Sequence, residues 1–494
     1  MSTFSAKLAR LKSGAPPRVL DLFSGCGGLT LGVVSAGAIS IGGVEFDPHA
    51  ALSYGTNFHR QPGGAVPEQH TRARDIHKWN PSDLLADLVD KKYPRPEVDW
   101  IIGGPPCPAY TRVGRAKLRE QKNGDPRAHL KDQRAQYYVR FLEYVSELKP
   151  LAVLMENVPD ILNFGGVNVA ELICKTLEAQ GYSVAYTLLN AVHYGVPQFR
   201  DRLVLIALHK SVGSEPVFPA PTHSHILPVG YDSSRRVALR IVSEAQRDGE
   251  ALHWRPTPGR LGLAAAVTVD DAIRDLPPHT PAKRGARDLY AVELPYRSKP
   301  KPSAYADAMR SWEGFESDGV TAHVTRALGP RDGDIFKRMA PGADYPVAKR
   351  IGQKLLDEAI EAHRRSEGRS PGPKALDELK RRHLPPYKDD KFPNRWRKLD
   401  AHEPSRTLMA HLGKDTYSHI HPDDDQARVI TVREAARLQS FPDGFIFKGT
   451  MNPAFRQIGN SVPPLLSFAI ACEIMRSLDA KIGKTAEGLK RALG

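Results

Sequence analysis

An apolar strand cut off by four residues that cannot continue it constrains this chain more than any other feature. In the run DWIIGGPPCPAYT (residues 99–111), Asp99 to Ile102 has the character of a buried strand end. Gly103, Gly104, Pro105 and Pro106 then exclude both a regular helix and a longer strand, because proline fixes its own φ and restricts the residue before it. The chain must leave the sheet in a stiff, extended loop, and Cys107 sits in that loop. Open α/β sheets hold their ligands beyond the carboxyl ends of strands, which makes Cys107 a candidate for chemistry. Read alone, a small buried cysteine near a turn is the commoner case.

The 494 residues suffice for two or three domains. No apolar run approaches the ~20 residues of a membrane span, and the basic N-terminus lacks the apolar core of a secretory signal. The expected location is the cytoplasm, in association with the nucleoid, without membrane contact. Cys26, Cys107, Cys174 and Cys472 show no CxxC spacing, so neither a disulfide framework nor a metal site is expected. The net charge of +14 suits a polyanionic partner, with a merely basic protein as the alternative.

Residues 18–34, RVLDLFSGCGGLTLGVV, read as strand, glycine turn and helix. Gly25, Gly27 and Gly28 permit a tight turn that brings backbone N–H groups and a helix N-terminus to a ligand. The G-x-G-G spacing differs from the dinucleotide G-x-G-x-x-G, so a nicotinamide cofactor is not favoured. A second strand over 39–46 contains Glu45, placed to reach ribose hydroxyls or simply to be solvated at a strand end. Asp75 ends a third short strand in this reading. Further strands are predicted over 151–156, 183–190 and 202–208, with helices over 131–148 and 168–180. The result is a doubly wound sheet to about residue 208. Glu156 of MENVPD closes an apolar strand. Arg200 and Arg202 are two apart and in extended chain share one face, suited to a phosphate, a polar base edge or a salt bridge.

Beyond 209 the regularity fails, apart from a helix near 237–248 and a capped one at 268–278 ended by a double proline. Residues 331–398 hold 18 Lys or Arg against 11 Asp or Glu, half the chain's basic excess. This region contains one helix, RIGQKLLDEAIEAHRR, and a segment with Tyr387, Phe392 and Trp396 among bases, the composition of a phosphate-gripping surface. Thr431 caps a helix through Glu434 to Leu438. Residues 456–478 read as a glycine–asparagine turn, a double proline and an amphipathic helix.

This constellation resembles the DNA (cytosine-5) methyltransferases. DLFSGCGGL is similar to the family's cofactor motif, GGPPCPAYT to its catalytic loop, MENVPD to its Glu-Asn-Val motif and QFRDRL to its Q-x-R-x-R motif. TVREAARLQSFPD and RQIGNSVPP are similar to its last two motifs, and all six occur in the family's order. Pro108 stands where the family has glutamine, so the loop lacks a side-chain amide and one backbone donor, whereas Tyr110 and Thr111 keep the usual residue types.

The resemblance implies a Rossmann-like α/β catalytic domain over 1–275 and 426–494. A smaller, irregular target-recognition domain over 276–425 is implied as an insertion before the C-terminal motifs. It implies S-adenosyl-L-methionine as cofactor, with Phe23 near the adenine, Gly25 and Gly27 at the methionine part, Glu45 on the ribose and Asp75 on the adenine amine. Asn460 and Ser461 would close that pocket, and Asp21, Leu29 and Pro106 complete it. Cys107 would add to C6 of a flipped-out cytosine, Glu156 would act at N3, Arg202 at O2, Arg200 or Arg202 would favour the thiolate, and Asn157 would position the loop. The implied partner is duplex DNA, acted on by a monomer paired with a restriction endonuclease or serving phage defence. A tRNA cytosine-5 methyltransferase and a catalytically silent DNA-binding regulator are the alternatives.

Overall fold

The computed structural model describes residues 3–89, 97–106, 137–164, 167–228, 233–259, 261–279, 290, 292–386, 395–414 and 417–493. Cys107, Pro108, Tyr110, Thr111, Tyr387 and Phe392 lie outside the described residues, as do 131–136 of the predicted helix.

Six strands form one sheet: β1 (Arg18–Leu22), β2 (Ile39–Val44), β3 (Trp100–Gly103), β4 (Ala152–Asn157), β5 (Tyr182–Asn190) and β6 (Asp201–His209). Their order is β2–β1–β3–β4–β6–β5. The first four run parallel, and β6 lies antiparallel between β4 and β5. The strands are apolar on both faces because helices cover both, the usual reason parallel sheets lose alternation. Winding reverses between β1 and β3, the position at which such sheets open a crevice. The start of β6 meets the carboxyl end of β4, so Arg202 arrives at the same edge as Glu156.

The helices α1 (Thr3–Lys12), α2 (Gly28–Ser35), α3 (Pro48–Phe58), α4 (Pro81–Asp87), α5 (Tyr137–Leu148) and α6 (Val169–Ala179) alternate with the strands. Asp75 ends no strand. It sits in a turn, where its own backbone carbonyl and carboxylate accept from Lys78 and His77 N–H. Among the described residues, 71–76 form no strand, their link to β2 being the single bond from Arg74 N–H to Glu45 O just past its end.

Then follow α7 (Ser233–Arg247), α8 (Val269–Ile273), α9 (Ala304–Arg310), α10 (Pro330–Arg338), α11 (Tyr345–Glu367) and α12 (Pro373–His383). Ile335, Phe336, Tyr345, Trp396, Ile420 and Val429 form a core separate from the two flanking the sheet. Trp396 was expected among surface bases. It is instead 1% exposed and stacked on Tyr417, so its ring is not available to a phosphate-gripping surface.

The chain closes with α13 (Val432–Leu438), α14 (Met451–Asn460), α15 (Pro464–Ser477) and α16 (Lys484–Leu493). The predicted cap is present as a reciprocal pair between Thr431 and Glu434. Gly459 and Asn460 form the last turn of α14 and not a separate turn. The helix after the double proline, expected to be amphipathic, is buried on nearly all sides because it packs against α2. Gly32 permits that contact, since a Cβ there would lie 2.4 Å from Phe468 N. Met451–Ser477 is long and apolar enough to cross a membrane, but 83% of its most apolar window is buried inside the protein. Its hydropathy is that of a core.

Candidate active site

One cavity of about 620 Å³ opens at the carboxyl edge of the sheet, across the switch between β1 and β3. It is built from strand ends. Phe23 follows β1, Glu45 and Phe46 follow β2, Gly104 to Pro106 follow β3, Glu156 and Asn157 end β4, and Arg200 and Arg202 flank the start of β6. Asp21, Gly25, Leu29, Asp75, Asn460 and Ser461 also line it. Gly27 does not. Its φ is +99°, and a Cβ there would strike the Phe58 ring at 2.2 Å, so this glycine permits the turn's packing away from the cavity.

The glycine turn is held by the second strand. Gly25 N–H donates to Glu45 Oε2 (2.8 Å) and Asp47 N–H to Oε1 (2.7 Å). Burial raises the Glu45 carboxyl, and these two donors oppose it. Asp21 is fully buried, with Oδ2 accepting from Thr30 Oγ1 at 2.5 Å. Burial pushes its carboxyl up to about 8 against that hydrogen bond. Its buried Oδ1 has no hydrogen-bond partner among the described residues. Phe23 has φ +65°, an uncommon conformation for a non-glycine residue, and its ring meets Tyr137 edge-on.

At the other end of the cavity Glu156 and Arg202 form an ion pair through Oε1 and Nε, both side chains being mostly buried. Gly104 makes room for this carboxylate, because a Cβ there would lie 2.9 Å from Glu156 Oε2. Asn157 Nδ2 donates to Pro105 O (3.2 Å), tying the loop's first proline to the end of β4. Arg200, two residues from Arg202, has different partners. Its Nη1 and Nη2 donate to Leu408 O (2.7 Å) and Gly459 O (3.0 Å), joining the 407–410 segment to the end of α14. Gln198, wholly buried, accepts from Leu408 N–H (3.0 Å) and donates to Gln439 Oε1 (2.6 Å). Arg200 and Gln198 thus clamp the cavity walls together.

The described cysteines are core residues. Cys26 lies within the glycine turn, 3.2 Å from Ser461 Oγ, and burial pushes its thiol up to about 12. Burial also raises Cys174 well above its ordinary value, and Cys472 is buried in α15.

A family model described as C-5 cytosine-specific DNA methylase matches residues 17–476. The chain belongs to the C-5 cytosine-specific DNA methylases. It is a DNA cytosine-5 methyltransferase. A protein of Oceanobacillus iheyensis assigned as type II methyltransferase M.OihORF3336P is 40% identical, covering 92% of this chain and 94% of its own. Type II methyltransferase M.AgeI of Thalassovita gelatinovora is 31% identical, covering 92% and 98%. The solved structure of an Escherichia coli prophage protein, assigned as a DNA modification methyltransferase, shares the fold. Its TM-score is 0.58 at 23% identity, over 94% of this chain and 99% of that one.

Several wall residues of this methyltransferase were not singled out from the sequence. Phe46 is 74% exposed, an aromatic ring left open at the cavity. An aromatic directly after a strand-end acid was the available signal. Arg456 lines the mouth and donates to Asp47 Oδ2 at 2.8 Å. Thr407 to Ala410 enter the cavity through the Arg200 and Gln198 contacts, across about 210 residues of chain, a distance at which a sequence carries no signal.

Proposed function

We propose that this enzyme transfers a methyl group from S-adenosyl-L-methionine to C5 of a cytosine flipped out of duplex DNA, through addition of Cys107 to C6. The single observation that carries this reading is one cavity whose walls include both the glycine turn with its carboxylates and the Glu156–Arg202 pair. The cavity fits the cofactor. Its volume lies in the range of small-molecule sites, roughly 300–1,000 Å³. Asp21, with an unpartnered buried Oδ1, Glu45 and Asp75 suit a cationic ligand bearing an amine and ribose hydroxyls, and Phe23 and Phe46 offer ring surface to an adenine. When bound, the cofactor supplies an electrophilic methyl group.

The chain's own residues prepare the base. Cytosine C5 is a weak nucleophile, and addition of a thiolate at C6 turns it into an enamine carbon. Cys107 is the candidate that remains once the three buried cysteines are set aside, and it lies two residues beyond the carbonyl held by Asn157. Addition moves negative charge toward N3 and O2 of the ring. A proton held at Glu156 would meet N3, and Arg202 would stabilise O2. After methyl transfer, a base removes the C5 proton, the C5–C6 double bond re-forms and the Cys107 thiolate leaves. Arg200, with both terminal nitrogens on carbonyls, serves as a positioning residue.

Residues 276–425, with the separate core around Trp396, serve as the recognition unit in this reading. The enzyme acts as a monomer on duplex DNA in the cytoplasm, alongside a restriction endonuclease, a pairing supported by the type II names of its relatives. Bisulfite sequencing of plasmid DNA from cells expressing the protein tests this reading. Cytosines protected within one short sequence are expected, and unprotected DNA beside methylated tRNA would overturn it.

A further inference from the structure

Helices α11 and α12 form an antiparallel hairpin whose charge is banded across it. A Cβ on Gly352 of α11 would lie 2.7 Å from His383 O and 2.9 Å from Pro385 Cδ, which fixes the start of α11 beside the end of α12. At this base, residues 345–356 and 380–386 carry Lys349, Arg350, Lys354, Lys380, Arg381 and Arg382 and no carboxylate. The middle, 357–363 and 375–379, carries five carboxylates and no Lys or Arg. The tip is basic again. The antiparallel register brings like bands side by side.

The dipole favours Lys380, Arg381 and Arg382 in the last turn of α12, but it does not account for the α11 side of the base. The dipole favours carboxylates toward the start of α11, where Lys349 and Arg350 stand. Arg350 and Lys354 are a like-charge i,i+4 pair, which costs helix stability. Both are exposed, as are Arg381 and Arg382. The base is also anchored. Tyr345, Ala348 and Leu355 enter the core around Trp396, and the backbone at Asp344 pairs antiparallel with that at Arg397. Thr407 in the cavity wall follows Arg397 by ten residues, so the foot of the base at Asp344 and Arg397 lies at most about 35 Å from the cavity, roughly one turn of duplex.

We infer that the base of the α11–α12 hairpin binds the phosphate backbone of duplex DNA flanking the target cytosine, with the acidic band directing the duplex across the hairpin and not along it. This rests on the proposed action on duplex DNA. The test compares the full-length protein with a base variant (Arg350→Gln, Lys354→Gln, Arg381→Gln, Arg382→Gln) and a tip variant (Arg364→Gln, Arg365→Gln, Arg369→Gln). Each is titrated with a 30-base-pair duplex across about 50–300 mM salt. The base variant should lose about 2–4 from the log–log salt slope, near 0.9 per phosphate contact, and bind at least tenfold more weakly at ~150 mM. The tip variant should keep the wild-type slope, and all three proteins should bind S-adenosyl-L-methionine equally. A base variant with the wild-type slope, or a tip variant with an equal loss, overturns the inference. A wild-type protein that takes up cofactor but shows no salt-dependent binding to duplex overturns the DNA reading itself.

Discussion

At the residue scale, the site depends on a few close approaches. Gly104 is required less for its backbone than for the space it leaves to Glu156. Gly104→Ala should leave the melting temperature within a few degrees but displace that carboxylate. We expect kcat to fall about 10–100-fold with cofactor affinity unchanged, read by steady-state kinetics and calorimetry. Asp21 carries a pH signature. Its carboxyl, pushed up to about 8 by burial, is neutral below that pH and anionic above it in the cofactor-free protein. The anion favours a cationic cofactor, so the ratio of wild-type to Asp21→Asn affinity should rise with pH and level off above about 8. Stability runs the other way. The native state keeps a proton that the unfolded chain releases near 4, so this group's contribution is full at low pH and is lost as pH rises through about 8. A pH-independent affinity ratio would remove Asp21 from cofactor binding. The sequence displayed Asp21, Glu45 and Glu156 because acids within or at the end of apolar runs stand out. It did not display that Arg200 and Arg202, two residues apart, take unrelated partners, since those of Arg200 lie on segments more than 200 residues away while Arg202 pairs with Glu156 of β4.

Among the elements, α13 carries the densest buried charge. Arg437 joins Asp443 through both carboxylate oxygens (2.5 and 2.6 Å) and reaches Asp275 as well, all fully buried. Burial alone would raise the Asp443 carboxyl, but the Arg437 guanidinium holds it below its ordinary range. Asp443→Asn should therefore cost about 3–5 kcal/mol by chemical denaturation, because it leaves a buried guanidinium undercompensated. The contribution is present above pH ~4 and lost as pH falls through the native value, so the variant's deficit should shrink in acid. The Thr431–Glu434 cap of this helix was legible because its signature is local. Burial of α15 on nearly all sides was not, since periodicity describes one helix and α2, its partner, lies more than 400 residues earlier. The 23-residue length of α11 and the existence of α12 were also missed, because charged faces without apolar periodicity read as loop.

For the whole molecule, the first and last segments of the chain meet to form the cavity, and the region between them has its own core. Trp396→Ala should destabilise that core by about 3–5 kcal/mol and weaken DNA binding, while S-adenosyl-L-methionine affinity stays at the wild-type value. Equal loss of both would mean the two cores fold as one. The sheet was readable because its strands are continuous apolar runs ended by turn residues, whereas Trp396 among lysines and arginines gave no sign of its burial. Covalent activation of cytosine by Cys107 is tested by incubating the protein with S-adenosyl-L-methionine and duplex DNA containing 5-fluorocytosine. The wild-type protein should form a one-to-one denaturation-resistant adduct that requires the cofactor and is absent in Cys107→Ser. An adduct that survives that substitution, or none with the wild-type enzyme on DNA that it methylates, would contradict the account.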